Sequence, residues 1–137
     1  FDRALSLYRQ ACQGGDPNGC AGEAAAMLEG RATTKDIPEG LKKLDAACGA
    51  GSAQACAMLG TALLMGMGGK SELAKGVQIL GSLCQAGDPG SCMKVAAALA
   101  EGRGVPKDLA QAKNLLDQTC KAGVDPACEL MKRLPAN

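Results

Sequence analysis

Cysteine is the residue with most chemistry to offer in this 137-residue sequence, which has eight of them. Cys12, Cys48, Cys84 and Cys120 stand 36 residues apart, and so do Cys20, Cys56, Cys92 and Cys128. Such thiols pair as disulfides, ligate zinc, or stay free as small apolar residues. Zinc is disfavoured, because there is no Cys-x-x-Cys and no histidine, whereas structural zinc sites show short ligand spacings. Free burial would leave an eightfold positional regularity without a cause. Ser91-Cys92-Met93-Lys94 spells Ser-x-x-Lys, the nucleophile pattern of penicillin-recognising enzymes. The partner motifs Ser-Asp-Asn and Lys-Thr-Gly are absent, and Ser91 falls in the opening turn of a helix, where serine is common for capping. Gly69-Lys70-Ser71 resembles the end of a phosphate loop. Leu64 occupies the place of the required glycine, and no strand precedes it. The carboxylates Glu23, Glu29, Asp45, Glu101 and Asp117 are scattered, and without histidine no nucleophile has its usual base. No catalytic residue, metal ligand or cofactor is assigned.

The elements that carry these residues are legible from composition and period. Apolar residues make up 47% and charged residues 21%, which fits a folded chain rather than a disordered one. Net charge is +1, from 15 basic and 14 acidic side chains, so nothing draws the chain to nucleic acid or anionic membrane. Lys42-Lys43, Lys121 and Lys132-Arg133 are the main basic clusters, and they lack the aromatics that stack bases. No run approaches the ~18 apolar residues of a membrane-spanning helix, so direct membrane insertion is not expected. Phe1 and Tyr8 are the only aromatics, which points to close helix packing through Leu, Met, Ala and Val.

The 36-residue register governs more than cysteine. Gly30, Gly66 and Gly102 share a column, as do Tyr8, Leu44, Leu80 and Leu116, and Ala4, Gly40, Gly76 and Ala112. Asp16-Pro17 and Asp88-Pro89 read as a cap followed by proline at the first helical position, and Ser52 takes that role in its repeat. Asp125-Pro126 reads the same way, displaced by one residue. A first helix runs from each cap to Gly30, Gly66 or Gly102, where glycine can adopt the left-handed stop. Short loops follow at Arg31 to Lys35, Met67 to Ser71 and Arg103 to Lys107. Asp36, Glu72 (or Ser71) and Asp108 then open a second helix, which ends near Gly49, Gly87 or Gly123. The sequence is therefore read as one domain over 1–137, with repeat marks at 1–20, 21–56, 57–92, 93–128 and 129–137. It begins at Phe1 with no signal peptide, and the expectation is a piece of a longer array.

Glu101-Gly-Arg-Gly-Val-Pro-Lys-Asp-Leu-Ala-Gln-Ala112 resembles the loop of Sel-like repeats, a subfamily of tetratricopeptide-type repeats. Leu59-Gly60 with Gly66 and Gly68 resembles that family's first helix and turn. The cysteine pairs, with seven residues between partners, are similar to the Helicobacter-type cysteine-rich branch. The resemblance covers the whole chain, with departures. Met27, Leu63 and Leu99 replace the family's usual aromatic, Glu23 replaces an apolar residue, and the turn Arg31-Ala-Thr-Thr34 lacks a second glycine. The implied fold is all-α: an α/α solenoid with a right-handed superhelix of about 3.5 helix-turn-helix repeats, each stapled by a disulfide. In such a repeat a cysteine near the end of one helix meets a partner in the first turns of the next, compatible with the ~5.5 Å Cα separation of a disulfide. Repeat symmetry then selects Cys12–Cys20, Cys48–Cys56, Cys84–Cys92 and Cys120–Cys128. Such bridges persist in oxidising spaces, so a periplasmic or secreted location is expected.

The resemblance also implies that the first helices line a concave surface. Glu23, Met27, Met58, Thr61, Met65, Lys94, Ala97, Glu101 and Arg133 are the expected contact positions on it. The function read from this is a non-enzymatic scaffold, monomeric, that holds a protein or peptide and does not bind nucleic acid. One alternative is a weak hydrolase or binder of β-lactam- or peptidoglycan-related ligands, since proteins of the resembled branch are linked to β-lactams. Another is a passive spacer.

Overall fold

The computed structural model describes residues 2–30 and 36–135. The loop expected at Arg31 to Lys35 lies outside the described residues. Among the described residues the chain forms eight helices and no strand. They are α1 (Asp2–Gln13), α2 (Pro17–Glu29), α3 (Ile37–Gly49), α4 (Ala53–Leu64), α5 (Leu73–Gln85), α6 (Pro89–Glu101), α7 (Leu109–Lys121) and α8 (Asp125–Arg133). Each helix packs against its neighbours in sequence, and α2 also packs against α4. The arrangement is the expected α/α solenoid, with α2, α4, α6 and α8 as first helices and α1, α3, α5 and α7 as second helices.

The four turns from second to first helix share one design. Gly15, Gly51, Gly87 and Gly123 adopt φ of 93°, 104°, 103° and 99°. The next residue then donates its N–H to a carbonyl five residues back: Asp16 to Ala11, Ser52 to Ala47, Asp88 to Leu83 and Val124 to Thr119. This left-handed closure satisfies the last carbonyls of one helix and reverses the chain within a few residues. The glycine that matters in the second repeat is thus Gly51. Gly49, expected from sequence as the stop, is the last residue of α3.

Helix starts follow the register as well. Asp16, Ser52, Asp88 and Val124 hold the N-cap position, spaced like the cysteines. The expectation that Asp125 caps the last helix is therefore corrected: Asp125 lies in the first turn, behind Val124. Asp16 and Ser52 cap through their side chains. Asp88 instead accepts the Ser91 hydroxyl through Oδ2 at 2.5 Å. At the second-helix starts, Asp36 accepts from Glu39 N and Asp108 from Gln111 N. Glu72 makes no cap bond, and a 3-10 turn at Lys70–Glu72 leads into α5 instead. Efficient cap residues have short side chains, and glutamate carries one methylene more than aspartate.

The core consists of Leu, Ala and Val. Leu44 and Leu80 are fully buried and Leu116 is 2% exposed, which confirms that column as the centre of each layer. Tyr8, its counterpart on α1, is 43% exposed. Helix axes approach where side chains are smallest. A methyl on Gly76 would lie 3.0 Å from Gly60 O, so the α4–α5 contact is close to backbone on backbone.

Candidate ligand-binding face

All eight cysteines are paired in the expected pattern: Cys12–Cys20, Cys48–Cys56, Cys84–Cys92 and Cys120–Cys128. Their Cα separations run from 4.5 to 4.8 Å, inside the range a disulfide tolerates. The bridges take up every thiol, so neither a zinc site nor a thiolate nucleophile is built from them. Among the described residues no three Cys, Asp or Glu side chains gather as a metal would need.

Each first helix divides its side chains between two faces. On α4, Ala55, Leu59, Ala62 and Leu63 are buried against the flanking helices. Met58, Thr61 and Met65 follow at helical spacing on another face. They line a hollow of about 330 Å³, shared with Ala25 and Leu28 of α2 and Lys94 of α6. Met67, from the turn after α4, adds to it. A second hollow, of about 650 Å³, lies between α6 and α8. Met93, Lys94 and Ala97 form one wall, and Leu130 and Arg133 stand opposite. Lys94 borders both hollows, and its Nζ donates to Thr61 Oγ1 across the α4–α6 gap at 3.0 Å.

The structure therefore brings six of the nine expected positions to one continuous face: Met58, Thr61, Met65, Lys94, Ala97 and Arg133. Met27 and Glu101 do not border either hollow. Glu23 is turned elsewhere. It is 8% exposed, and its carboxylate pairs with Arg9 of α1 and Lys43 of α3, each at 3.0 Å. The two cations come from second helices, so Glu23 bonds into the seam behind the face. Met67 and Met93 were not anticipated. Met93 is legible in hindsight, four residues before Ala97 on the same helix face. Met67 sits in a turn, where no period announces it.

Ser91 and Lys94 do not form a catalytic pair. Ser91 is 2% exposed, and its hydroxyl is committed to Asp88. Lys94 is exposed and bonded to Thr61.

Comparison with known proteins separates fold from family. No family model matches the chain, and no curated protein matches it in sequence. Solved structures do match. A Sel1 repeat protein from Oxalobacter formigenes superposes with a TM-score of 0.74 at 24% identity, over 92% of this chain and 51% of that one. The fold is the Sel1-repeat solenoid. A protective antigen present in uropathogenic Escherichia coli strains, displaying the same type of fold, superposes equally well (TM-score 0.74, 24% identity, 90% of this chain and 26% of that one). Cysteine-rich protein B of Helicobacter pylori matches at a TM-score of 0.63 and 24% identity, over 93% and 92% of the two chains. The chain thus spans about half the length of the Oxalobacter Sel1 protein and about a quarter of the antigen. Among the described residues no helix is long and apolar enough to cross a membrane.

Proposed function

We propose that the chain is a non-catalytic scaffold in an oxidising, extracytoplasmic compartment, and that it holds a protein or peptide on the α2–α4–α6–α8 face. One observation carries this reading: two neighbouring apolar hollows walled by Met58, Met65, Met67 and Met93. Met65 is 67% exposed, an unusual placement for so apolar a side chain. Methionine is flexible and polarisable, which suits a surface that adapts to a ligand. The solenoid supports the reading too, since stacked repeats present extended surfaces of this kind. The compartment is inferred from the bridges, which persist where thiols are not kept reduced.

The test is binding to an immobilised array of varied peptides. The parent chain should capture a subset of them. Met65→Glu places a charge in the first hollow at a largely exposed site, so it should abolish capture while leaving the thermal midpoint within about 2 °C. Capture that survives Met65→Glu unchanged would move the binding site off this face.

A further inference from the structure

Two cations stand on the apolar face without an acidic partner. Lys94 borders both hollows and Arg133 borders the second, and both side chains are exposed. Among the described residues neither is ion-paired. Five other basic residues are: Arg9 and Lys43 with Glu23, Lys75 with Asp45, Lys121 with Asp117, and Lys132 with Glu129. Lys42, Lys70, Lys107 and Lys113 are not ion-paired among the described residues either, but they do not border the hollows. Lys94 has a neutral partner instead, Thr61, whose hydroxyl holds the ammonium at the ridge between the hollows. Two carboxylates border the hollows. Glu29, at the first, has a partner of its own, and Glu129, at the second, faces Lys132 at 3.8 Å. At the ridge between the hollows and along the second hollow, the charges that lack an oppositely charged partner are therefore Lys94 and Arg133. Charge of one sign beside apolar walls selects ligands of the opposite sign and repels those of its own.

The spacing of the hollows sets a length. One lies between α2 and α4, the other between α6 and α8. Directly packed helices stand about 8–10 Å apart, and α4–α6 and α6–α8 are at least that far apart, so the hollow centres are about 16–20 Å apart or slightly more. An extended chain advances about 3.3 Å per residue and covers that distance in about five or six residues.

Resting on the peptide-binding reading above, we infer that the face takes an extended acidic-apolar segment of a partner protein. Its two apolar side chains, about five or six residues apart, fill the hollows, and a Glu or Asp between them meets Lys94 with Arg133 beyond. The carboxylate replaces the solvent around cations that have no acidic partner within the chain. The methionine walls accept any apolar side chain of fitting size, so specificity comes from the charge and the spacing.

The probes are acetylated, amidated peptides with two leucines about six residues apart. They carry a central glutamate, glutamine or lysine, with glycine and serine elsewhere. Blocking both ends removes terminal charges, so only the central side chain differs. Fluorescence anisotropy should rank glutamate above glutamine by about fivefold, with lysine weakest, and high salt should narrow the gap. Lys94→Gln with Arg133→Gln should erase the preference, so that the glutamate and glutamine peptides bind with equal affinity. Equal binding of all three peptides overturns the acidic preference and leaves the scaffold reading standing. A preference that survives the double substitution overturns it as well, by placing the acid elsewhere. No binding by any of the three also overturns it, and the peptide array then decides separately whether the face binds peptides. Self-association of the chain reversed by Met65→Glu would identify a second copy as the occupant and overturn the partner segment.

Discussion

Gly49 and Gly51 are two residues apart in one turn and do opposite work. Gly51 has φ +104°, a conformation that L side chains adopt only at a cost, although no atom lies within 4 Å of a Cβ built there. Gly49 is helical, and a Cβ there also meets open space. Gly51→Ala should therefore destabilise by about 1 kcal/mol through backbone strain. Gly49→Ala should stabilise by about 0.5–1 kcal/mol, because alanine has less freedom to lose in a helix. Urea unfolding of the two variants checks the signs. Like signs would mean the turn is not closed by the left-handed residue described. From sequence either glycine is a plausible stop. The neighbouring columns decide, since Gly15, Gly51, Gly87 and Gly123 share the register and Gly49 has no counterpart in it. Asp125 teaches the same lesson. An Asp-Pro pair is a strong local cap signal, yet the disulfide and the turn anchor the helix start at Val124.

At the scale of the element, turn and bridge act together. The left-handed turn brings two antiparallel helix ends so close that residues eight apart face each other, and the disulfide locks that approach. Closing so short a loop contributes about 2.5 kcal/mol on a chain-entropy estimate. Cys84→Ala with Cys92→Ala should lower unfolding stability by about that amount. In a quasi-linear array the loss should stay near the cut. Hydrogen exchange should quicken in α5 and α6 and remain unchanged in α1 and α2. Uniform quickening would instead describe a single cooperative block. Small residues set how closely the helices stack. Ala24, Gly60 and Ala96 form a buried column on α2, α4 and α6, and Lys132 takes its place on α8, exposed. Gly40 of α3 approaches the backbone of Ala24, and Leu80 of α5 packs on Gly60, whereas α8 turns a charge outward at this position. Arg103 adds a tie between repeats, its Nε donating to Leu64 O at the end of α4 at 2.5 Å.

On the scale of the whole molecule, the core among the described residues is built from Leu, Ala and Val and contains no aromatic side chain. The largest fully buried side chains are Leu44, Leu80 and Ser91, and the rest of the core leans on alanine. Hydrophobic stabilisation scales with apolar area, so this array depends on its bridges more than an aromatic-rich domain would. Denatured without reductant, the chain should take no alkylating label, and after reduction it should take eight, one for each cysteine. The reduced chain should lose helical circular dichroism at a temperature well below the oxidised one. Full helicity in the reduced state at that temperature would show that helix packing alone suffices.

Taken by itself, the sequence determined the repeat, its length and the helix pairs, and its resemblance to Sel-like repeats implied the cysteine partners. Those features are periodic, and a period of 36 residues is visible without coordinates. The 3.6-residue period also placed Met58, Thr61 and Met65 on one face of a helix, and Lys94 with Ala97 on one face of another. Only the tertiary structure decided which of these faces meet. It set Lys94 against Thr61, turned Glu23 away to Arg9 and Lys43, and added Met67 from a turn. Those outcomes depend on how far one helix is rotated and shifted against the next. Contacts between residues 14 to 33 positions apart fix that rotation, and no local pattern encodes it.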